Sequence, residues 1–357
     1  MRTGRRAAVE KECVLLAHGG GGELMHRLIR EHLLPPLSNA RLAPLADGAV
    51  LPAFSGDLVF TTDSFVVTPL EFPGGNIGRI AVAGTVNDLA VMGAEPIALS
   101  LALILEEGFP LEALDRVLRA IAATAEEAGV EIVTGDTKVI ERRPPQVAAT
   151  ASQDGFVRDG MFVSTAGVGR RLPGVAPALA RVQPGDAVLV SGTIADHGLT
   201  IMLLRSGIVF DTELRSDAAP LNHLLVDVFK AGANVRFVRD ATRGGIAGVL
   251  ADISEACSLS IEIDEARIPI SATARHAAEM LGLDPLTVAN EGKVICVVAD
   301  QDADAVLSAM REHPLGEHAA RIGRVTAAHP PLVELITRTA GRRVVQRPYG
   351  EELPRIC

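Results

Sequence analysis

The sequence predicts a two-domain α/β protein, and three observations lead there. At 357 residues the chain is long enough for two domains of the usual ~100–200 residues. Hydrophobic residues make up 48% of it but aromatics only 3%, with no Trp and one Tyr, so small aliphatic side chains must fill the interior, as layered α/β packing allows. Strand-like and helix-like apolar spacings alternate through both halves.

Glu23–Leu33 reads as a helical segment behind the glycine run His18-Gly19-Gly20-Gly21-Gly22. Asp57–Thr61 is a short strand, Pro73-Gly74-Gly75 a turn, and Asn76 an N-cap for a helix over Ile77–Met92. Ile97–Leu105 is short and apolar apart from Ser100, hence a buried strand. Leu111–Ala128 carries Leu111, Leu114, Val117, Leu118 and Ile121 on one helical face and ends at Gly129, a C′ glycine. Glu131–Thr134 is the next strand. Prolines and a glycine within Arg170–Arg181 mark the boundary between the units. Beyond it come a turn at Gln183–Asp186, a strand at Ala187–Ser191, and a strand end at Phe237–Val238. A helix then carries Ile246, Val249, Leu250 and Ile253 at i, i+3, i+4 and i+7, and Val294–Ala299 is another buried strand. The expected division is 1–13 as a disordered basic extension, 14–170 and 182–340 as domains, and 341–357 as a mobile, aperiodic tail ending in Leu353-Pro354-Arg355-Ile356-Cys357.

The formal net charge of −10 argues against a nucleic-acid binder, which needs a basic face to neutralise phosphates. No apolar run approaches the ~20 residues of a membrane helix, and no signal core opens the chain, so a cytoplasmic protein is expected. The four cysteines, Cys13, Cys257, Cys296 and Cys357, fit neither a disulfide framework nor a zinc site and suit a reducing compartment.

The glycine run before a helix can let phosphates approach backbone amides, or be only a flexible loop; no P-loop pattern occurs. Asp63, Asp88 and Asp136 sit at expected element ends, with Lys138 close to the last. Three carboxylates and a lysine near a glycine loop suit Mg2+ and nucleotide phosphates, although each Asp alone is as readily a turn or cap residue. Glu291, in Asn290-Glu291-Gly292-Lys293 before a strand, is a general base if buried and a turn residue otherwise. Asp240, Thr242 and Arg243, in Arg239–Gly245, form a possible second anion site. Asp196-His197-Gly198 reads as a site or as a turn and cap.

Taken together, these motifs resemble the hydrogenase maturation factor HypE family of carbamoyl dehydratases, within the superfamily of aminoimidazole ribonucleotide synthetase, selenophosphate synthetase and thiamine monophosphate kinase. The matching segments run in order along nearly the whole chain. They include His18–Gly22, Thr61–Phe65, Phe72–Gly78, Gly84–Asp88, Glu106–Phe109 and Thr134–Val139, then Asp196–Gly198, Asp240–Gly245 and Asn290–Lys293. The last is Leu353–Cys357. The nucleotide motifs mark the superfamily, and the terminal Pro-Arg-Ile-Cys marks HypE.

The resemblance implies a two-domain PurM-like (AIR synthetase-like) α/β fold, its N-terminal domain sharing a β-barrel in a homodimer, with a flexible C-terminal tail. It implies that HypF loads a carbamoyl group onto Cys357, that this chain dehydrates it with ATP to a thiocyanate, and that an iron-carrying HypC–HypD complex receives the cyano group for NiFe-hydrogenase. Gly20, Gly21, Asp63, Asn87, Asp88, Asp136 and Thr137 would bind nucleotide, and Asp63, Asp88 and Asp136 would hold Mg2+. Lys138 and Glu291 would be catalytic, with Asp47, His197, Asp240, Thr242 and Arg243 in support. The alternatives are an ATP-dependent synthetase or kinase of the same superfamily acting on a free small molecule, and a non-enzymatic cysteine carrier. A free thiol, with a pKa of about 8.5, is largely protonated at neutral pH, so Cys357 reads as a tethered substrate rather than an activated nucleophile. At about 3.3–3.6 Å per residue the tail spans roughly 50 Å, enough to reach the protein's own site or a partner, which predicts inward and outward tail states.

Overall fold

The computed structural model describes residues 13–20, 22–141, 159–208, 214–231, 234–348 and 355–357. All of the expected basic extension except Cys13 lies outside them, as do Gly21 and the tail residues 349–354. In chain order the principal elements are α1 (Glu23–Leu28), β1 (Leu58–Phe65), α2 (Ile77–Val91), β2 (Ala94–Glu106), α3 (Leu111–Ala128), β3 (Glu131–Ile140) and β4 (Met161–Arg171). Then follow β5 (Ala187–Val190), α4 (Asp196–Ser206), α5 (Asn222–Lys230), β6 (Val235–Asp240), α6 (Gly245–Cys257), β7 (Ser260–Asp264) and α7 (Ala272–Leu281). β8 (Val294–Val298), α8 (Ala303–Glu312), β9 (Ala320–Thr326), β10 (Val333–Ile336) and β11 (Arg342–Val345) complete the chain.

The first unit is a four-stranded sheet in the order β1-β4-β2-β3, with α2 and α3 on one face. β2 and β3 are parallel, and α3 is the crossover that such a pair requires. The second is a seven-stranded mixed sheet in the order β11-β10-β7-β9-β5-β8-β6. Its inner strands β5 and β8 are apolar throughout and buried throughout, as strands covered on both faces must be.

Local chemistry sets the helix ends. The Asn76 side chain accepts from the amides of Gly78 and Arg79 at 2.9 and 3.2 Å, and α3 stops at Gly129 with φ 68°. Asn76→Ala should cost about 1 kcal/mol, read as a lower thermal midpoint. Two expectations are corrected. β3 does not end at Thr134 but runs to Ile140, because Gly135 lets it press on β2, where a Cβ would meet the Leu101 carbonyl at 2.4 Å. Its polar residues Asp136 and Lys138 simply alternate onto the solvent face. Asp196-His197-Gly198, read as a site or as a turn and cap, is the first turn of α4, which Ala195 precedes as N-cap. The tail does not begin unstructured at 341, since Arg342–Val345 pairs with β10 as an edge strand.

Register decides which residues can meet. Thr62 pairs with Ala166, Ser64 with Ser164, Ala102 with Ser164 and Asp136, and Ile104 with Lys138, so all of these share the face away from the helices. That face is open, and Phe60 on it is 63% exposed. Asp63 pairs with Thr165, which pairs with Leu101, and so faces the helices.

Candidate functional site: a cleft closed by the C-terminal cysteine

A cleft of about 550 Å3 lies between the two units, lined among others by Thr61, Asp63, Gly84, Asp88, Asp240, Thr242, Arg243, Glu291 and Cys357. β1 supplies Thr61 and Asp63, and α2 supplies Asp88, to which the Thr61 hydroxyl donates at 2.7 Å. α2 lies close to β1 because residue 84 is glycine: a Cβ there would meet the Phe65 ring at 2.9 Å. β6 ends at Asp240, and the turn into α6 brings Thr242 and Arg243.

Glu291 is 2% exposed, and its Oε1 has no hydrogen-bond partner. Its backbone amide donates to Asp217 Oδ1 at 3.1 Å, and the other Asp217 oxygen stands 3.1 Å from Lys293 Nζ. A Cβ on Gly292 would fall 2.0 Å from the Asp217 carbonyl, so only glycine allows this close seat. Burial first, then the charges of Asp217, Asp240 and Asp63, hold the Glu291 carboxyl well above the usual carboxylate range. Burial and then Asp88 push Asp240 up to about 6; burial is also the main cause raising Asp63 and Asp88. The Cys357 thiol is pushed up to about 12 by burial and next by Glu291, with Arg243 opposing. Acids whose pKa values are raised by burial, set around a buried thiol, can exchange protons with it.

The sequence-predicted residues divide into two groups. Cys357, Asp63, Asp88, Asp240, Thr242, Arg243 and Glu291 share the cleft. Asp136, Thr137 and Lys138 do not. Lys138 Nζ bonds both oxygens of Asp136 at 2.5–2.6 Å on the open sheet face, and that bond first of all holds Asp136 below its usual range. The glycine run sides with this second group, since a Cβ on Gly19 would touch Val139 at 3.1 Å; Gly20 follows it, exposed. Asp136 and Thr137 also line an apolar pocket of about 160 Å3 with Met25, Ile29, Leu33 and Leu37. The expected trio Asp63, Asp88 and Asp136 therefore does not converge within one chain. β3 and β1 are the two edges of the sheet, and the two groups face opposite sides. Among the described residues no three acidic, His or Cys side chains stand close enough together to hold a metal.

Asn87, Asp47 and His197 are not among the residues lining the cleft. Asn87 is buried and ties the units together: its amide nitrogen donates to Ala219 O at 3.1 Å, and its oxygen accepts from Leu221 N at 2.7 Å. It has little left for nucleotide. Asp47 is exposed and outside the cleft. His197 is fully buried behind the cleft and contacts the tail. The sequence reading missed Asp217, Ser216, Arg205 and Asp159, which lie in no recognisable motif; their signal is a set of polar contacts that only the fold brings together.

The family described as AIR synthase related protein, N-terminal domain, matches residues 45–153, and the corresponding C-terminal domain family matches residues 183–333. Carbamoyl dehydratase HypE of Rhizobium leguminosarum bv. viciae is 45% identical over 354 residues, 99% of this chain and 97% of that protein. The crystal structure of hydrogenase maturation protein HypE in complex with ATP is 41% identical, with a TM-score of 0.88, over 96% of this chain and 99% of that one. HypE in a crystal structure of a HypE–HypF complex is also 41% identical, with a TM-score of 0.76, over 90% and 99% of the two chains.

Proposed function

Because the chain belongs to the carbamoyl dehydratase HypE family of hydrogenase maturation proteins, we propose that it uses ATP to convert an S-carbamoyl group on its own Cys357 into a thiocyanate. The observation that carries this reading is the entry of Cys357 into the cleft beside Glu291 and Arg243. An enzyme acting on a free small molecule has no reason to fill its site with its own last residue.

An amide oxygen leaves poorly as hydroxide and readily as phosphate. The thiocarbamate oxygen attacks the γ-phosphate of ATP; ADP departs; the nitrogen loses its two protons; and the C–O bond breaks as the nitrile forms. The products are S–C≡N, ADP and inorganic phosphate. Glu291 is the base, since it is buried, has an unpartnered oxygen and holds a raised pKa. Arg243 sits where charge develops near the sulfur-bound carbon.

Mg2+ fits Asp63 and Asp88, hard oxygen donors whose pKa values are raised chiefly by burial; nucleotide phosphates would complete its shell. It would neutralise charge on the transferring phosphoryl group. The Asp136–Lys138 group joins the site in a homodimer. The first sheet has an open face and two unpaired edges among the described residues, which two copies could close into one barrel. The groups that one chain keeps apart would then face each other, the apolar pocket beside Asp136 taking the adenine. HypF would load the thiol, as the HypE–HypF complex supports, and HypC–HypD would receive the cyano group. Four free cysteines, and the absence among the described residues of any helix long and apolar enough to cross a membrane, fit work in a reducing cytoplasm.

Incubation with HypF, carbamoyl phosphate and ATP should add one carbamoyl group and then remove one water, both mapped to Cys357 by intact and peptide mass. Lys138→Ala should slow the water loss by roughly 10²–10³-fold without blocking carbamoylation. Water loss without ATP would sink the mechanism.

A further inference from the structure

The three described tail residues are held through their backbone. The Arg355 carbonyl accepts from Thr68 N at 3.1 Å and Arg205 Nη2 at 2.5 Å. The Ile356 carbonyl accepts from His197 Nε2 at 2.7 Å, and the Cys357 carbonyl from Val66 N at 3.0 Å. Three successive main-chain oxygens each receive a donor, two of them from the backbone amides of Val66 and Thr68 and the middle one from α4. His197 and Arg205 are two turns apart on α4. Arg205 Nε also donates to Thr68 O at 2.7 Å, bridging the tail and the segment after β1.

We propose that α4 is the tail-reading element of this protein, with His197 and Arg205 as positioning residues that fix the sulfur of Cys357 opposite Glu291. A carbonyl can only accept, so His197 carries its proton on Nε2 and its Nδ1 accepts from the Ser216 hydroxyl at 2.8 Å. Full burial, which lowers the His197 pKa, keeps that neutral form, and the Phe72 ring, edge-on at 5.4 Å, fixes its plane. The next residue, Asp217, holds the Glu291 amide. One turn therefore carries both the group that steadies the tail clamp and the group that seats the base, so the thiol and the base are placed against the same frame. Because the clamp reads main chain, it is indifferent to whether the sulfur bears hydrogen, carbamoyl or cyanide. Ile356, 3% exposed in the core of the first unit, supplies the apolar side of the grip. Arg355 adds a two-point ion pair to Asp159 at 2.7 and 2.9 Å.

The clamp deepens the reading of Cys357 as tethered substrate, but its test does not depend on dehydration. The full-length protein is treated with iodoacetamide, and the alkylation rates of Cys357 and of the fully buried Cys296 are read by peptide mass. His197→Ala should speed Cys357 alkylation by roughly five- to tenfold, the worth of one buried hydrogen bond, while Cys296 stays as slow as in the wild type. His197→Gln, whose amide can still donate, should restore most of the protection. An unchanged Cys357 rate in His197→Ala with Cys296 protected overturns the proposal. If His197→Ala opens the whole fold and both cysteines speed up, Ser216→Ala takes its place and is judged by the same two rates. A dehydratase reading that fails by intact mass while Cys357 protection responds as stated would leave the clamp standing.

Discussion

Cys357→Ala is expected to abolish carbamoylation and thiocyanate formation completely while leaving the fold intact, as read by intact mass and by the thermal midpoint. In the proposed reaction the thiol carries the reacting group, so no neighbouring group can replace it. The side chain is small and lies at the edge of the first core, so its truncation should cost only about 1 kcal/mol. Turnover of any free small molecule by this variant at the wild-type rate would instead favour a synthetase or kinase. The wild type should also show a pH signature. Docking raises the thiol pKa to about 12, so the docked tail retains a proton that a free thiol loses above roughly pH 8.5. Docking is then undiminished below that pH and weakens by about tenfold per unit above it, until the docked thiol itself ionises. Once carbamoylated, the sulfur has no proton to lose, and protection of the tail from exchange should become far less dependent on pH.

Glu291→Gln is expected to lower the rate of dehydration by roughly 10²–10⁴-fold, with carbamoylation of Cys357 unchanged. Gln keeps the shape but cannot take the nitrogen protons. The same substitution should raise stability at alkaline pH. The folded protein holds a proton on Glu291 that the unfolded chain releases near pH 4.5, so stability falls as pH rises from there through the raised folded pKa. Gln has no such loss. Thermal midpoints of the two proteins should agree near pH 4 and separate in favour of the variant towards pH 8. A variant that is both fully active and no more stable at pH 8 would remove Glu291 from the base role.

How far the sequence could be read is clear from particular residues. Local signals with a direct chemical cause stand as expected: the Asn76 cap, the Gly129 stop, and the apolar face of Leu111–Ala128. Element ends governed by neighbours do not. β3 runs past Gly135 because another strand needs that glycine, and β4 went unread because glycines and small polar residues interrupt its pattern. The resemblance, through Gly84–Asp88, placed Asn87 beside Asp88 among the nucleotide-binding residues. On a helix, adjacent residues point about 100° apart, and that turn sends Asn87 to the second unit and Asp88 to the cleft.

Sequence alone determined the family, and it singled out the terminal cysteine and the acids that the proposed reaction uses. Those are properties of residue type and order, which motifs carry directly. Tertiary structure alone decided which of them meet. Strand alternation turned Asp63 and Asp136 to opposite faces of one sheet, and two intervening strands separated them, so the trio read from sequence became a pair in one chain. It also decided where the tail rests and what holds it. His197 and Arg205 act on main-chain carbonyls, which every residue possesses, so no pattern of side chains along the tail could announce the clamp.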